Sequence, residues 1–359
     1  RRGLDVTVVA PLDPATDAAR AARAGYDGSV AEQGQGGVLV DALFGSGLGR
    51  PLAPEIAELL AQEAARHAYR IAIDVPSGMD SDSGEALNEG LSGFDLTLAL
   101  GAWKPAHALM PAMAAMGEVR LVPIGVAEMP GAAQLLRRPE LRRPGYHDHK
   151  YTRGLVLVVE GVMSGAALLA CEAAMRSGAG AVRLSTERLH PEVSPDIVLK
   201  GEPLSELLTD ARTGAVLVGP GLGRDAAAGE RLRTVLRANL PTVLDADALA
   251  LLAPDDLARH DKPLILTPHE GEMTTLARAF ALSAPGKVAR AVELAGKTRA
   301  VVAYKGADTV IATPDGRVAF APSATSWLSV GGSGDVLAGI AATRLAATGD
   351  AFRATGDAV

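Results

Sequence analysis

Short apolar runs alternate along the chain with Ala-rich stretches whose apolar residues recur at helical spacing. Residues 4–9, 38–44, 70–75 and 94–100 each read as a buried strand, and residues 54–66 between two of them carry a helical pattern. The rhythm resumes at 154–159 and continues through 215–218, 241–244, 264–267 and 300–304. Such alternation implies a mostly parallel sheet with helices on its faces. It breaks between residues 126 and 150, where Pro130, Pro139 and Pro144 punctuate a cluster of Arg137, Arg138, Arg142 and Arg143. That stretch reads as a linker over 128–149 between a domain at 1–127 and another at 150–359.

Composition narrows the picture without changing it. The chain has 359 residues, 48% of them hydrophobic, which is enough for two buried cores. The chain carries much Ala, Gly and Val and few aromatics, a mixture that lets helices lie close on a sheet. A net charge of −7 speaks against nucleic acid as the partner, although backbone amides can still hold an anionic small ligand. The single cysteine, Cys171, excludes an internal disulfide and sits in an Ala-rich run as an expected buried helical residue. No membrane span or leader is seen, so a cytoplasmic setting is expected. Both ends look cut: residues 4–9 begin at once as a strand, and the last residues fall inside a helical pattern. The expectation is a fragment.

The chemistry concentrates after four strands and at one glycine turn. WLSVGGSGDVLAG spans residues 327–339 and leads into an apolar, Ala-rich run. Its glycines allow consecutive amides to face an anion at a helix start. Asp335 beside them is either a first-turn residue favoured by the helix dipole or a base for an attacking hydroxyl; the turn by itself fits both. VGPGLG at 218–223, LDADAL at 244–249, LTPHEGE at 266–272 and YKGADT at 304–309 each follow a predicted strand. Polar clusters on successive ends should converge on one sheet edge, where open α/β sheets bind ligands.

Over residues 150–359 these segments, with HKYTRG and GAALLACEAAMRSGAGAVRL, resemble the ribokinase-like ADP/ATP-dependent NAD(P)H-hydrate dehydratases. The resemblance implies a three-layer α/β/α domain. It also implies repair of hydrated NADH or NADPH: ADP or ATP, with Mg2+, phosphorylates the ring hydroxyl, and phosphate is then eliminated. Asp335 would be the base, and Gly332, Ser333 and Gly334 the anion hole. Lys305, Gly306, Ala307, Asp308, Thr309 and Gly334 would hold the adenine nucleotide, and Ala166, Gly223, His269 and Asp335 the hydrated cofactor. The loop at 160–165 is about two residues shorter than the family form.

In the first half, VDALFGSGLGRPL and AIDVPSGMDSDSG each carry a strand into a turn, which can bring Asp41, Asp74 and Ser77 together. Oxygen-only donors suit a hard cation, while the same acids also fit plain helix caps. These segments and TLALGAWKPAH are similar to the NAD(P)H-hydrate epimerase domain, which is often fused ahead of the dehydratase. That similarity implies a Rossmann-like α/β/α domain with K+ held by Asp41 and Ser77. Gly45, Ser46, Gly47, Leu48, Gly49, Arg50, Pro51 and Asp74 would bind substrate, Asp74 also moving a proton. Lys104 lies near the same edge without an assigned role. The family's Asn-Asn-Gly-Gly-Asp-Gly loop would precede Arg1, so an impaired epimerase half is expected. The family often assembles into homo-oligomers.

A ribokinase-like small-molecule kinase shares the glycine turn and acid and is the alternative. A non-catalytic scaffold of decayed domains and a Rossmann dehydrogenase are further rivals, and neither glycine loop has a clean GxGxxG with a following acid.

Overall fold

The computed structural model describes residues 5–28, 30–127, 129, 131 and 133–359. Leu4, at the head of the first expected strand, and Pro130 lie outside them. By internal contacts the chain divides into two compact units, Arg1–Glu128 and Met129–Val359.

In the first unit, β1 (Val8–Val9) pairs in parallel with β2 (Val30–Ala31). A four-stranded parallel sheet follows in the order β3 (Val38–Asp41), β4 (Tyr69–Ile73), β5 (Leu96–Leu100), β6 (Glu118–Val122). Helix α1 (Asp17–Ala24) buries no residue, and α3 (Ala112–Ala115) is a single turn. The longer α2 (Pro54–Arg66) starts on proline, whose missing N–H would have no partner there anyway. Its Ile56 and Leu60, one turn apart, pack with Leu48 and Leu52 into one core cluster. Two strands differ from the buried pattern expected of them. Among the described residues of the 4–9 run only Val8 and Val9 pair, and β3 is an edge strand whose Val38 and Val40 are exposed. Apolar runs alone do not distinguish a strand covered on both faces from one covered on a single face.

The second unit is built on a ten-stranded sheet. It contains β7 (Gln134–Leu135), β8 (Leu155–Val159), β9 (Ala181–Ser185), β10 (Ile197–Lys200), β11 (Thr213–Val218), β12 (Thr242–Leu244), β13 (Leu264–Leu266), β14 (Val301–Tyr304), β15 (Val310–Ala312) and β16 (Val318–Phe320). They lie in the order β10-β9-β8-β11-β12-β13-β14-β15-β16-β7, and every pair from β10 to β14 is parallel. The turn after β14 opens an antiparallel pair, and β16 then takes β7 as a parallel edge. That edge strand falls inside the stretch expected to be a linker; two residues between prolines are too short to show a period.

All five residues of β8 are buried, so the sheet is covered on both faces. Val156 and Val158 point into a cluster with Ala215, Leu217, Val243 and Ile265, closed by α4 (Ser164–Arg176), α10 (Ser333–Thr348) and α11 (Ala351–Ala358). The alternate side chains, such as Leu155 and Leu157, face the other layer. Its longer helices are α6 (Ala226–Arg237), α8 (Glu270–Ala279) and α9 (Lys287–Thr298), with the short α5 (Leu204–Leu207) and α7 (Asp247–Leu251) between them. Cys171 lies fully buried in α4, where burial pushes its thiol up; it is a packing residue. Stability of this unit should track the central strands. Leu217→Ala is expected to destabilise it by about 2–5 kcal/mol in denaturant unfolding followed by circular dichroism, through lost transfer energy plus a cavity.

Candidate active site

Because β8, β11, β12, β13 and β14 run parallel as neighbours, their C-terminal ends share one edge, and the polar turns after them stand side by side. The contacts run continuously across that edge. Met163 N donates to Gly221 O at 3.0 Å, tying the loop after β8 to the turn after β11. Gly223 N donates to Asp247 Oδ2 at 3.0 Å, and Asp247 also pairs with Arg224 at 2.7 Å, reaching the turn after β12. Lys305 N donates to Pro268 O at 2.7 Å, joining the turns after β13 and β14.

Asp245 is the deepest charged group on this edge. It is 1% exposed, and its Oδ1 accepts from Lys305 Nζ at 2.6 Å and from Thr267 Oγ1 at 2.7 Å. Its backbone is held just as closely. Gly219, at φ +131°, passes so near that a Cβ there would sit 1.8 Å from the Asp245 carbonyl oxygen.

Helix α10 arrives at the same place from the core. Gly332 caps it with left-handed backbone, φ 91°, and no side chain closes the end. The first-turn amides of Gly334 and Asp335 therefore have no intrahelical acceptor. Ser333 folds back instead, its Oγ donating to Val330 O at 3.0 Å. A Cβ on Gly334 would stand 3.4 Å from Lys305 Nζ and 4.0 Å from Asp245 Oδ2, so the ammonium and the buried carboxylate both flank the turn. Asp335 is half-buried here, and its proton affinity is raised to about 6. Burial is the main cause and the Asp245 charge adds to it, while Lys305 opposes both. Glu272 of α8 feels the same surroundings: burial raises its carboxyl, Lys305 lowers it and Asp245 raises it.

The other expected residues divide by what holds them. His269 caps α8, its Nδ1 accepting from Gly271 N at 2.9 Å and Glu272 N at 3.3 Å, which leaves Nε2 outward near Glu272. Gly306 and Thr309 close the turn after β14 on each other, and Asp308 pairs with Lys287, which also lies over the Tyr304 ring. Ala307 at its tip is exposed, and Ala166 is half-buried in the first turn of α4. The short 160–165 loop is pinned by Arg188, whose guanidinium donates to Gly161 O at 3.1 Å and Ser164 Oγ at 2.8 Å. Glu160 beside it is buried against Thr186 and His190. Neither Arg188 nor Thr267 stood out in the sequence. Asp245 did, but only as one of two acids after a strand.

The first unit has its own cluster. Asp41, buried at the end of β3, accepts from Ser77 N at 2.8 Å, Ser77 Oγ at 2.7 Å and Leu43 N at 3.2 Å. Burial nevertheless pushes its carboxyl above the usual range, with those hydrogen bonds opposing. Asp74, just past β4, sits at φ 72°. Burial raises its carboxyl too, but Lys104, the Leu100 amide and the Ser46 amide outweigh that and keep it below the usual range. His107 supports the strained backbone. Its Nδ1 accepts from Lys104 N at 2.9 Å, which assigns the proton to Nε2, and Nε2 donates to Asp74 O at 2.7 Å. In the glycine loop, Gly45 lies against Asp74 and Ser46, Gly47, Gly49, Arg50 and Pro51 are exposed, whereas the Leu48 side chain is buried in the core cluster and offers only its backbone. Among the described residues no group of three or more His, Cys, Asp or Glu is disposed to hold a metal ion, and no helix is long and apolar enough to cross a membrane.

Comparison with known proteins places these two units in context. The sequence pattern of NAD(P)H-hydrate dehydratase matches residues 156–358, and that of the YjeF-related protein N-terminus matches residues 6–106. The bifunctional NAD(P)H-hydrate repair enzyme Nnr of Mycobacterium leprae is 35% identical over 323 residues, covering 86% of this chain and 65% of the relative. The protein of the same description from Thermosynechococcus vestitus is 34% identical over 347 residues, covering 89% and 68%. The chain thus spans about two thirds of the length of these relatives. Among solved structures, ADP/ATP-dependent NAD(P)H-hydrate dehydratase from Bacillus subtilis, co-crystallised with ATP/Mg2+, superposes with a TM-score of 0.53 at 31% identity, covering 61% of this chain and 81% of that one.

The edge contacts depend on a glycine at position 219. Gly219→Ala is expected to push the Asp245 backbone away and loosen the Lys305 pair, lowering the melting temperature by several degrees relative to wild type in calorimetry.

Proposed function

The chain belongs to the NAD(P)H-hydrate dehydratase family, and from that premise we propose that its second unit, of ribokinase-like α/β/α fold, dehydrates hydrated NADH or NADPH at the expense of ADP or ATP. The observation that carries the proposal is the half-buried Asp335 carboxylate at the uncapped start of α10, with the Lys305 ammonium across the turn. A terminal phosphoryl group laid on the anion hole of Gly332, Ser333 and Gly334 meets the positive end of a helix and one fixed cation. Mg2+ would come with the nucleotide's phosphates and supply further positive charge there.

The chemistry then asks for one proton acceptor. As the ring hydroxyl attacks the terminal phosphorus, its O–H proton passes to Asp335 and the bond to the departing nucleotide breaks. The phosphate ester is a better leaving group than hydroxide. Its C–O bond breaks, a proton leaves the neighbouring ring carbon, and the ring double bond of the reduced cofactor returns. Lys305 to Thr309 would flank the nucleotide. Ala166, Gly223 and the outward Nε2 of His269 would line the side of the edge that takes the hydrated ring.

For the first unit we propose residues 1–127 as an epimerase-like domain whose companion reaction, epimerisation of the hydrated carbon, belongs to the parent protein and is impaired in this chain. Asp74, held ionised beside Lys104 on a strained backbone, would move the proton, and the 45–51 loop would bind substrate through its exposed residues and main chain. Asp41 and Ser77 fit a potassium ion. Asp41 is a buried carboxylate with no ion-pair partner among the described residues, and an all-oxygen donor set suits a hard cation, which would supply fixed positive charge at the strand ends. We place the protein in the cytoplasm, a setting with which the free buried thiol of Cys171 agrees.

Two outcomes test the dehydratase reading. Asp335→Asn, whose amide cannot accept the proton, should slow recovery of reduced-nicotinamide absorbance by about 10²–10⁴-fold. Nucleotide affinity, measured by calorimetry, should change little; full activity in this variant would sink the mechanism. The base works only when deprotonated, and its proton affinity is raised to about 6, so the rate should hold above that pH and fall as pH drops through it. A pH–rate profile between pH 5 and 8 reads this directly.

A further inference from the structure

We propose that Asp245 is a positioning residue of the dehydration site, holding the Lys305 ammonium in place and keeping Asp335 in the field of a second carboxylate. The proposal rests on the dehydratase reading above. Asp245 flanks the glycine turn through Oδ2, and its claim comes from what it holds. Its Oδ1 is shared by Lys305 Nζ at 2.6 Å and Thr267 Oγ1 at 2.7 Å, and the residue is 1% exposed. Its main chain is equally confined. The amide donates to Val218 O at 3.3 Å, the carbonyl lies against Gly219, and the next residue, Ala246, takes a left-handed φ of 47°. A carboxylate so clamped cannot follow the lysine; the lysine must come to it.

Two consequences follow for the glycine turn. A lysine held at two points, by its backbone N–H on Pro268 O and its ammonium on Asp245, needs little ordering when phosphate arrives. The cation is also outnumbered. Asp245, Asp335 and Glu272 are the ionisable groups that share it, and the Asp245 charge works against ionisation of Asp335 while Lys305 favours it. That balance makes Asp335 a stronger base than an ordinary aspartate while leaving it ionised at neutral pH. An ion pair kept only for stability would be a poor use of a buried site, since two apolar residues often serve as well.

The test is the pH profile of kcat/KM for hydrated NADH at saturating nucleotide, so that the nucleotide's own titration is common to all variants. Asp245→Asn removes the charge at nearly constant shape. Its acid limb should move to lower pH by about half a unit or more. Lys305→Met should move the limb the opposite way and weaken nucleotide binding. Should Asp245→Asn not fold, as judged by thermal melting, Asp245→Ser carries the same expectation. An acid limb unmoved in the folded Asp245 variant, or shifted upward, overturns the role of Asp245 while the dehydratase reading stands. Absence of any absorbance recovery by wild-type protein overturns the reading itself, and the role with it.

Discussion

A strand can lie parallel to its predecessor only after the chain has crossed back over the sheet, so each parallel strand delivers its C-terminal end to the same side. In the second unit this holds for β8, β11, β12, β13 and β14, which are spatial neighbours as well. Turns separated by tens of residues in sequence thereby stand a few ångströms apart. The backbone contacts Met163 to Gly221 and Lys305 to Pro268 are the direct result. Everything chemical in this unit is downstream of that geometry. A strand reversed in the middle of the sheet would send its turn to the opposite edge.

Electrostatics then decides what the assembled edge can do. Lys305 lies between Asp245 and the start of α10, and the three acids around it cannot all be satisfied by one ammonium. The least buried of the competing arrangements falls to Asp335, which keeps a raised proton affinity. The first unit resolves a similar crowding differently. There Asp74 receives Lys104 and two amides and is held ionised, while the buried Asp41 is given only hydrogen bonds. Two carboxylates on neighbouring strand ends thus end with opposite tendencies.

Much of this was legible in the sequence, for identifiable reasons. The strands at 155–159, 213–218 and 301–304 were visible because burial on both faces makes a continuous apolar run. The glycine turn at 331–335 was visible because three glycines crowd ahead of an Ala-rich helix. The first unit was harder: Val38 and Val40 spell a buried strand but face outward at a sheet edge. Partnership was hardest. Asp245 and Lys305 are separated by 60 residues, Arg188 and Ser164 by 24, and no local pattern records which side chain meets which. Leu48 shows the reverse limit, since a motif names a loop without saying which of its side chains turns inward.

Helix α10 has a consequence for how the second unit can move. Its Ala338, Ala341, Ala342 and Leu345 are buried in the same cluster as the sheet's central valines, with α4 and α11 packed along it. A turn anchored to such a helix belongs to the last part of the unit to open, because exposing it means separating the layers. Asp335, in the first turn of that helix, is joined through it to the core. Trp327, Leu328 and Val330 before the turn, and Val162 and Met163 in the loop after β8, are large apolar side chains left in water. The unit thus sets Asp335 on a core helix and surrounds it with exposed apolar side chains, which water alone covers.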